Sequence, residues 1–253
     1  MSTDPMQPSR HVVGRGILGG VMLFALWEGL ARGLDLPSYV LPAVSEILAR
    51  IWTSRVDLLQ AAGYTMGEAL LGYALGACVG IGLALAITLV PALRRVIVPA
   101  AMAVNSVPVV AFSPLILLWF GMGMTSKIVM VAVAVSFTMF VSSLAGFDRV
   151  DQKSVDLLRS FGASRAGILW RLRLPTALPM ILSGMRLSTV RSLIVAIVTE
   201  MLGAYGGLGW VIYQAVVVID FVQVWAAIFI ASVISLSFFG LVSLVERRVV
   251  FWR

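Results

Sequence analysis

The sequence predicts an all-α integral membrane protein with about six transmembrane helices, and three observations carry that expectation. Of the 253 residues, 60% are hydrophobic and only 12% are charged, against roughly 25% charged in an ordinary soluble domain. The charges are also unevenly placed: none falls between Arg95 and Lys127, between Lys127 and Asp148, or between Asp220 and Glu246, and residues 69–91 form another uncharged stretch. Each gap reaches the roughly 20 residues a helix needs to cross a hydrocarbon core of about 30 Å. In lipid a segment must satisfy its own backbone N–H groups, so each crossing is expected to be helical.

Taken in order, residues 1–11 read as a polar tail and 12–253 as a single transmembrane domain. The first helix spans 12–34; no small-residue cleavage site follows it, so it is kept as part of the fold. Glu28 and Arg32, four apart near its end, can pair. Pro37 and Pro42 break the chain, and Ser45–Trp52 begins a short amphipathic helix. A second span covers 65–90, where Gly72, Gly76 and Gly80 recur every four residues and offer one smooth face for helix packing. The third, 96–119, is interrupted by Asn105, Ser106, Pro108, Ser113 and Pro114. Proline removes a backbone hydrogen bond, and such breaks are tolerated where protein or water satisfies the freed carbonyls. Lining of a path and simple packing both remain open for this segment.

Gly121-Met122-Gly123 turns the chain into a fourth span, 126–147. The polar stretch 148–175 follows, then spans at 179–204 and 221–245. Tyr205–Asp220 is too short and apolar for a free loop, so a re-entrant hairpin or short surface helix is expected. Within the fifth span Glu200 stands deep in an apolar run. A carboxylate there costs about 2.5–3.5 kcal/mol on insertion scales, so it should face protein or a wet path.

Charge sets the orientation and excludes several functions. With both termini cytoplasmic, that side holds thirteen basic residues: Arg10, Arg15, Arg94, Arg95, Arg149, Lys153, Arg159, Arg165, Arg171, Arg173, Arg247, Arg248 and Arg253. The other side holds four, Arg32, Arg50, Arg55 and Lys127, with Arg186 and Arg191 assigned to the inner end of the fifth span. Cytoplasmic loops collect Lys and Arg, which places 148–175 inside. The basic residues form no stripe interleaved with aromatics, which argues against nucleic acid as a partner. One cysteine, Cys78, allows no internal disulfide, and one histidine, His11, supplies neither a histidine metal site nor a Ser/His pair within the membrane.

The cytoplasmic stretch reads as two short helices around a glycine. Leu157, Leu158 and Phe161 share a face of the first; Gly162 suits the left-handed backbone that ends a helix. Ser164 is the expected N-cap of the second, whose apolar residues are Ile168, Leu169 and Leu172, with Pro175 expected to stop it. A basic hairpin with an apolar face can lie on lipid headgroups or dock on a partner.

Asp156-Leu157-Leu158, three residues, Gly162, nine residues and Leu172-Arg173-Leu174-Pro175 resemble the signature loop of ABC-importer permeases, Glu-Ala-Ala-x3-Gly-x9-Ile-x-Leu-Pro. The Gly, Leu-Pro and spacing match; Asp replaces Glu, two leucines replace alanines and Leu replaces Ile, which implies a different fit to the partner. Leu41-Pro42, Pro108…Ala111…Pro114-Leu115…Trp119-Phe120-Gly121 and Glu200-Met201-Leu202-Gly203-Ala204…Gly207-Leu208-Gly209 extend the resemblance to the sulfonate/nitrate/taurine-type permeases of the binding-protein-dependent transport family.

The resemblance implies a coupling-helix hairpin that docks an ATP-binding cassette ATPase subunit through Asp156, Leu157, Leu158, Arg159, Phe161, Gly162, Ala163, Ser164, Leu174 and Pro175. It implies a second permease copy, a homodimer, and a periplasmic solute-binding protein as further partners, in the bacterial inner membrane. Asn105, Ser106, Pro108, Pro114 and Glu200 are the candidates for the translocation path or gate. No Gly-x4-Gly-Lys-Ser/Thr loop is present, so ATP and Mg are expected on the partner, with no cofactor, metal or catalytic site on this chain. The solute is expected to be small and anionic; a vitamin precursor (thiamine pyrimidine or riboflavin type) is the alternative. A six-helix secondary transporter is the alternative of a different class, but ion coupling calls for several buried ionisable groups.

Overall fold

The computed structural model describes residues 10–250. Eleven α-helices account for most of them: α1 (Arg10–Gly33), α2 (Val44–Thr53), α3 (Arg55–Leu89), α4 (Arg94–Ser106), α5 (Ser113–Phe120), α6 (Met124–Asp148), α7 (Gln152–Ser160), α8 (Arg165–Ile168), α9 (Leu174–Leu202), α10 (Leu208–Val217) and α11 (Phe221–Val249). No strand occurs among the described residues. Of the tail expected over 1–11, residues 1–9 lie outside them, and Arg10 and His11 already belong to α1.

Four helical stretches are long and apolar enough to cross a membrane alone: 55–89, 124–148, 165–202 and 221–249. A fifth crossing is possible through the pair 91–106 and 109–120, bent by 83°. Among the described residues, length and composition thus give four or five crossings, and α1, 24 residues long, lies outside that set. The span expected over 96–119 is broken where its prolines stand. α4 stops at Ser106, Val107 is extended in front of Pro108, and a 3-10 turn, Val109–Phe112, leads into α5 with Pro114 in its first turn. Pro108 holds Val107 out of the helical region, and Pro114 sits where a missing N–H costs nothing. The two prolines end one helix and begin another.

The core is a three-helix layer of α3, α6 and α9, whose buried residues include Ala69, Tyr73, Val131, Val135, Ile181 and Leu193. Close approach depends on small residues. A Cβ on Gly72 would lie 2.7 Å from the Ile128 carbonyl oxygen, one on Gly76 2.6 Å from that of Ala132, and one on Gly80 would strike that of Ser136. α3 therefore presses its glycine face onto the α6 backbone, which suits a lipid setting where packing, not exclusion of water, joins helices. A second cluster joins α2, the start of α3, α10 and α11 through Ile47, Leu58, Leu208, Ile212 and Ala227. The expected surface helix after the fifth span is α10, seated on α9, α11 and α3. α1 is tied to α2 by Glu28, which pairs with Arg32 at 2.6 Å and accepts from the Ser45 N–H at 3.1 Å.

Candidate functional site

Three groups of residues have chemistry beyond packing: the 150–175 hairpin, the broken span with its neighbours, and a buried charge cluster at the opposite end of the bundle.

The hairpin is built from local signals. Asp151 caps α7 by accepting from the Lys153 N–H, and Ser164 caps α8 by accepting from the Gly167 N–H at 3.1 Å. Between them Gly162 takes φ +78°, and the Ala163 N–H reaches back to the Leu158 carbonyl at 3.0 Å, the glycine-dependent helix ending expected there. Val155, Ile168 and Leu169 turn inward, forming a small pocket against Thr88, Leu89 and Pro91 at the end of α3. Leu157 and Phe161 point outward, 57% and 79% exposed, and Trp170 is exposed beside them. Asp156 and Arg159 pair at 3.3 Å on the same outer surface.

Pro175 does not stop the second helix. The chain runs from Arg165 to Leu202 as one helical stretch, through a π turn at Leu169–Arg173 in which the Leu174 N–H bonds to the Leu169 carbonyl five residues back. The wider turn takes up the hydrogen bond that proline cannot make. Ile168 and Leu169, the apolar residues expected of the second helix, pack inward, and Leu157 and Phe161 are exposed. α8 is thus helically continuous with α9 through the π turn.

In the broken span, Asn105 stands on the last turn of α4, and Ser106 Oγ bonds to the Ala103 carbonyl at 2.7 Å. Asn105 lines an apolar groove of about 360 Å³ with Val96, Ala100, Val104, Val109, Ser136 and Phe140. Pro108 and Pro114 are exposed. Arg191 of α9 reaches this region: Nη1 donates to Thr138 Oγ1 of α6 at 3.1 Å and Nη2 to Asn105 Oδ1 at 3.5 Å. At 1.5 Å per residue Arg191 lies about 26 Å from Leu174 and about 17 Å from Leu202, so its assignment to the inner end of the span is corrected to the middle. Since α9 begins earlier than 179, the arginine moves deeper. The signal in the sequence was its isolation among Ser188–Thr199, with no acidic residue one helical turn away.

Glu200 is completely buried near the other end of α9. Its Oε2 accepts from the Gly209 N–H at 2.6 Å, while Thr65 Oγ1 accepts from the Leu208 N–H at 2.8 Å. Two side chains from α9 and α3 thus cap α10. A Cβ on Gly207 would strike the Glu200 carboxylate, one on Gly209 would strike the Ile197 carbonyl, and Gly207 has φ +97°. In this structure Glu200 faces protein, not an open path. Two further buried charges, missed in the sequence, share its surroundings. Glu68 of α3 lies within hydrogen-bonding reach of Glu200, and the Lys127 ammonium of α6 offsets both carboxylates electrostatically. Lys127 is also held by the carbonyls of Met122 and Gly123. Insertion scales charge roughly 2.5–3.5 kcal/mol for each such group at a helix centre, and mutual compensation offsets part of it.

Residues 76–251 match the family described as binding-protein-dependent transport system inner membrane component. A probable ABC transporter permease protein of Haemophilus influenzae is 31% identical, over 88% of this chain and 91% of that protein. The formylaminopyrimidine transport permease ThiX of Halalkalibacterium halodurans is 30% identical over 92% of this chain and 93% of that one. The taurine transport system permease TauC of Escherichia coli is 30% identical over 91% and 86% respectively. Among solved structures, an amino acid ABC transporter chain superposes with TM-score 0.66 at 21% identity, covering 79% of this chain and 97% of that chain. A chain of the MetNI methionine ABC transporter gives 0.57 at 18%. At those identities the likeness is one of fold.

Proposed function

This chain belongs to the inner membrane components of binding-protein-dependent transport systems, and from that premise we propose that it forms the path for a small anionic solute in an ATP-driven importer. The solute, of sulfonate, taurine or nitrate type, is delivered by a periplasmic binding protein. Two copies of the chain pair around the path, and ATP with its Mg ion is bound and hydrolysed on a separate ATPase subunit. Both termini and the 150–175 hairpin face the cytoplasm, in keeping with the thirteen-to-four division of basic residues. Sequence identity to a taurine permease supports the anionic reading. Equal identity to a formylaminopyrimidine permease favours a second one, a vitamin precursor carried by the same machinery.

The observation that carries the coupling role is the outward apolar face of Leu157 and Phe161 beside Gly162, on a hairpin whose second helix runs on into α9. An exposed phenylalanine and leucine on a basic hairpin fit a groove on another protein, and lipid alone would not require the Gly162 corner. Gly162→Val tests this cleanly, because a Cβ there meets nothing within 4 Å while φ is +78°. The cost is therefore one of backbone conformation, about 1–2 kcal/mol, or a swing of α8 away from its place. The expected result is a permease that inserts normally yet loses co-purification of the ATPase subunit and solute-stimulated ATP hydrolysis. Full co-purification with an undiminished stimulated rate would show that the hairpin is not the coupling element.

A further inference from the structure

Arg191 is a mid-span cation without a counter-charge. A guanidinium has five N–H donors, and two of them meet neutral acceptors, Thr138 Oγ1 and Asn105 Oδ1. Among the described residues no carboxylate oxygen lies within 4.0 Å of it. Arg186, five residues earlier on the same helix, shows the contrast: it pairs with Glu246 of α11 at 3.2 Å. Glu68 and Glu200 are buried, Glu246 is engaged with Arg186, and the other described acidic residues lie in the last turns of α1, at helix ends, in loops or, for Asp156, on α7 of the hairpin.

A permanently charged side chain kept half-buried in the span, with donors to spare, calls for an anion from outside the chain. The three side chains come from three helices, α4, α6 and α9, and Asn105 opens onto the groove under the broken span. We propose that Arg191, with the Asn105 amide and the Thr138 hydroxyl, binds the oxyanion group of the solute part-way across the membrane. The oxyanion is a sulfonate or carboxylate, whose oxygens accept the forked donors of the guanidinium. Neutral neighbours make the site shallow, which suits a group that must also leave. This rests on the reading of the chain as an importer permease and adds to it the class of group recognised within the membrane.

The test is isothermal titration of the permease, purified with its ATPase subunit in lipid nanodiscs, with ethanesulfonate and with the uncharged ethyl methyl sulfone. Saturable binding of ethanesulfonate and none of the sulfone is expected. Arg191→Gln should weaken ethanesulfonate binding at least about tenfold, Arg191→Lys less, and Thr138→Val least, since charged hydrogen bonds outweigh neutral ones. No saturable binding by the unaltered chain, or equal binding by Arg191→Gln, overturns the site. So does an Arg191→Gln chain that fails to assemble while Arg191→Lys assembles and does not bind, which marks an internal strut. If the unaltered chain holds no ATPase subunit, the importer reading fails instead, and the titration on the permease alone still decides the site.

Discussion

Two places in this bundle hold charge away from water, and they are built in opposite ways. Near the α10 end, Glu68, Lys127 and Glu200 come from three helices and are all buried, with carboxylates, an ammonium and backbone dipoles facing one another. Around Arg191, helices α4, α6 and α9 present one cation and two neutral partners, one of which, Asn105, lines a groove. The first arrangement holds charges of both signs and ties them to backbone: Glu200 holds the Gly209 N–H and Lys127 the Met122 and Gly123 carbonyls, which joins α10 to α9. The second is open, and its missing term must be supplied from outside.

Stability measurements can break that comparison, beginning with the Glu200 cluster. Glu200→Ala leaves the Gly209 N–H unpaired and Lys127 less compensated, and removing one member of a buried charge group costs about 3–5 kcal/mol. A clear fall in the thermal unfolding temperature in detergent is expected. Glu200→Gln keeps an acceptor for Gly209 and should lose noticeably less. A Glu200→Ala chain as stable as the parent would mean that the cluster does not hold α10.

The open site should respond weakly in the same assay. Arg191→Gln removes an uncompensated charge and keeps a hydrogen-bonding side chain, so its unfolding should change by less than about 1 kcal/mol, in either direction. A loss as large as that of Glu200→Ala would place Arg191 among the structural charges and erase the distinction between the two regions.

The sequence made the regular parts of this fold legible and hid the places where helices depart from regularity. Uncharged gaps located α3, α6 and α11, the proline pair after α1 announced α2, and spacing alone put Gly72, Gly76 and Gly80 on one face. Gly162 and Ser164 were readable because a left-handed corner and an N-cap are decided within a few residues. Pro175 was misread because a π turn can absorb a proline, and nothing in the local composition distinguishes that from a stop. The 83° bend between α4 and α5 depends on what α6 offers the freed ends, a tertiary matter. Glu68 and Lys127 were passed over because each sits at the margin of an uncharged run, where a charge looks solvated until α3, α6 and α9 are brought together.

Both charge sites acquire meaning only in a chain whose hairpin meets the ATPase subunit on one side of the membrane while α2 and α10 lie on the other. Site-directed crosslinking tests that directly. In a Cys78→Ser background, Ser160→Cys lies on the exposed hairpin, and Asp35→Cys lies in the turn after α1 at the opposite end. With a short bifunctional maleimide applied to inside-out vesicles containing the whole transporter, Ser160→Cys should yield a covalent adduct with the ATPase subunit, and Asp35→Cys none. No adduct at Ser160→Cys, or equal adducts at both positions, would contradict the assignment of this chain's hairpin as the element that joins ATP hydrolysis to the membrane.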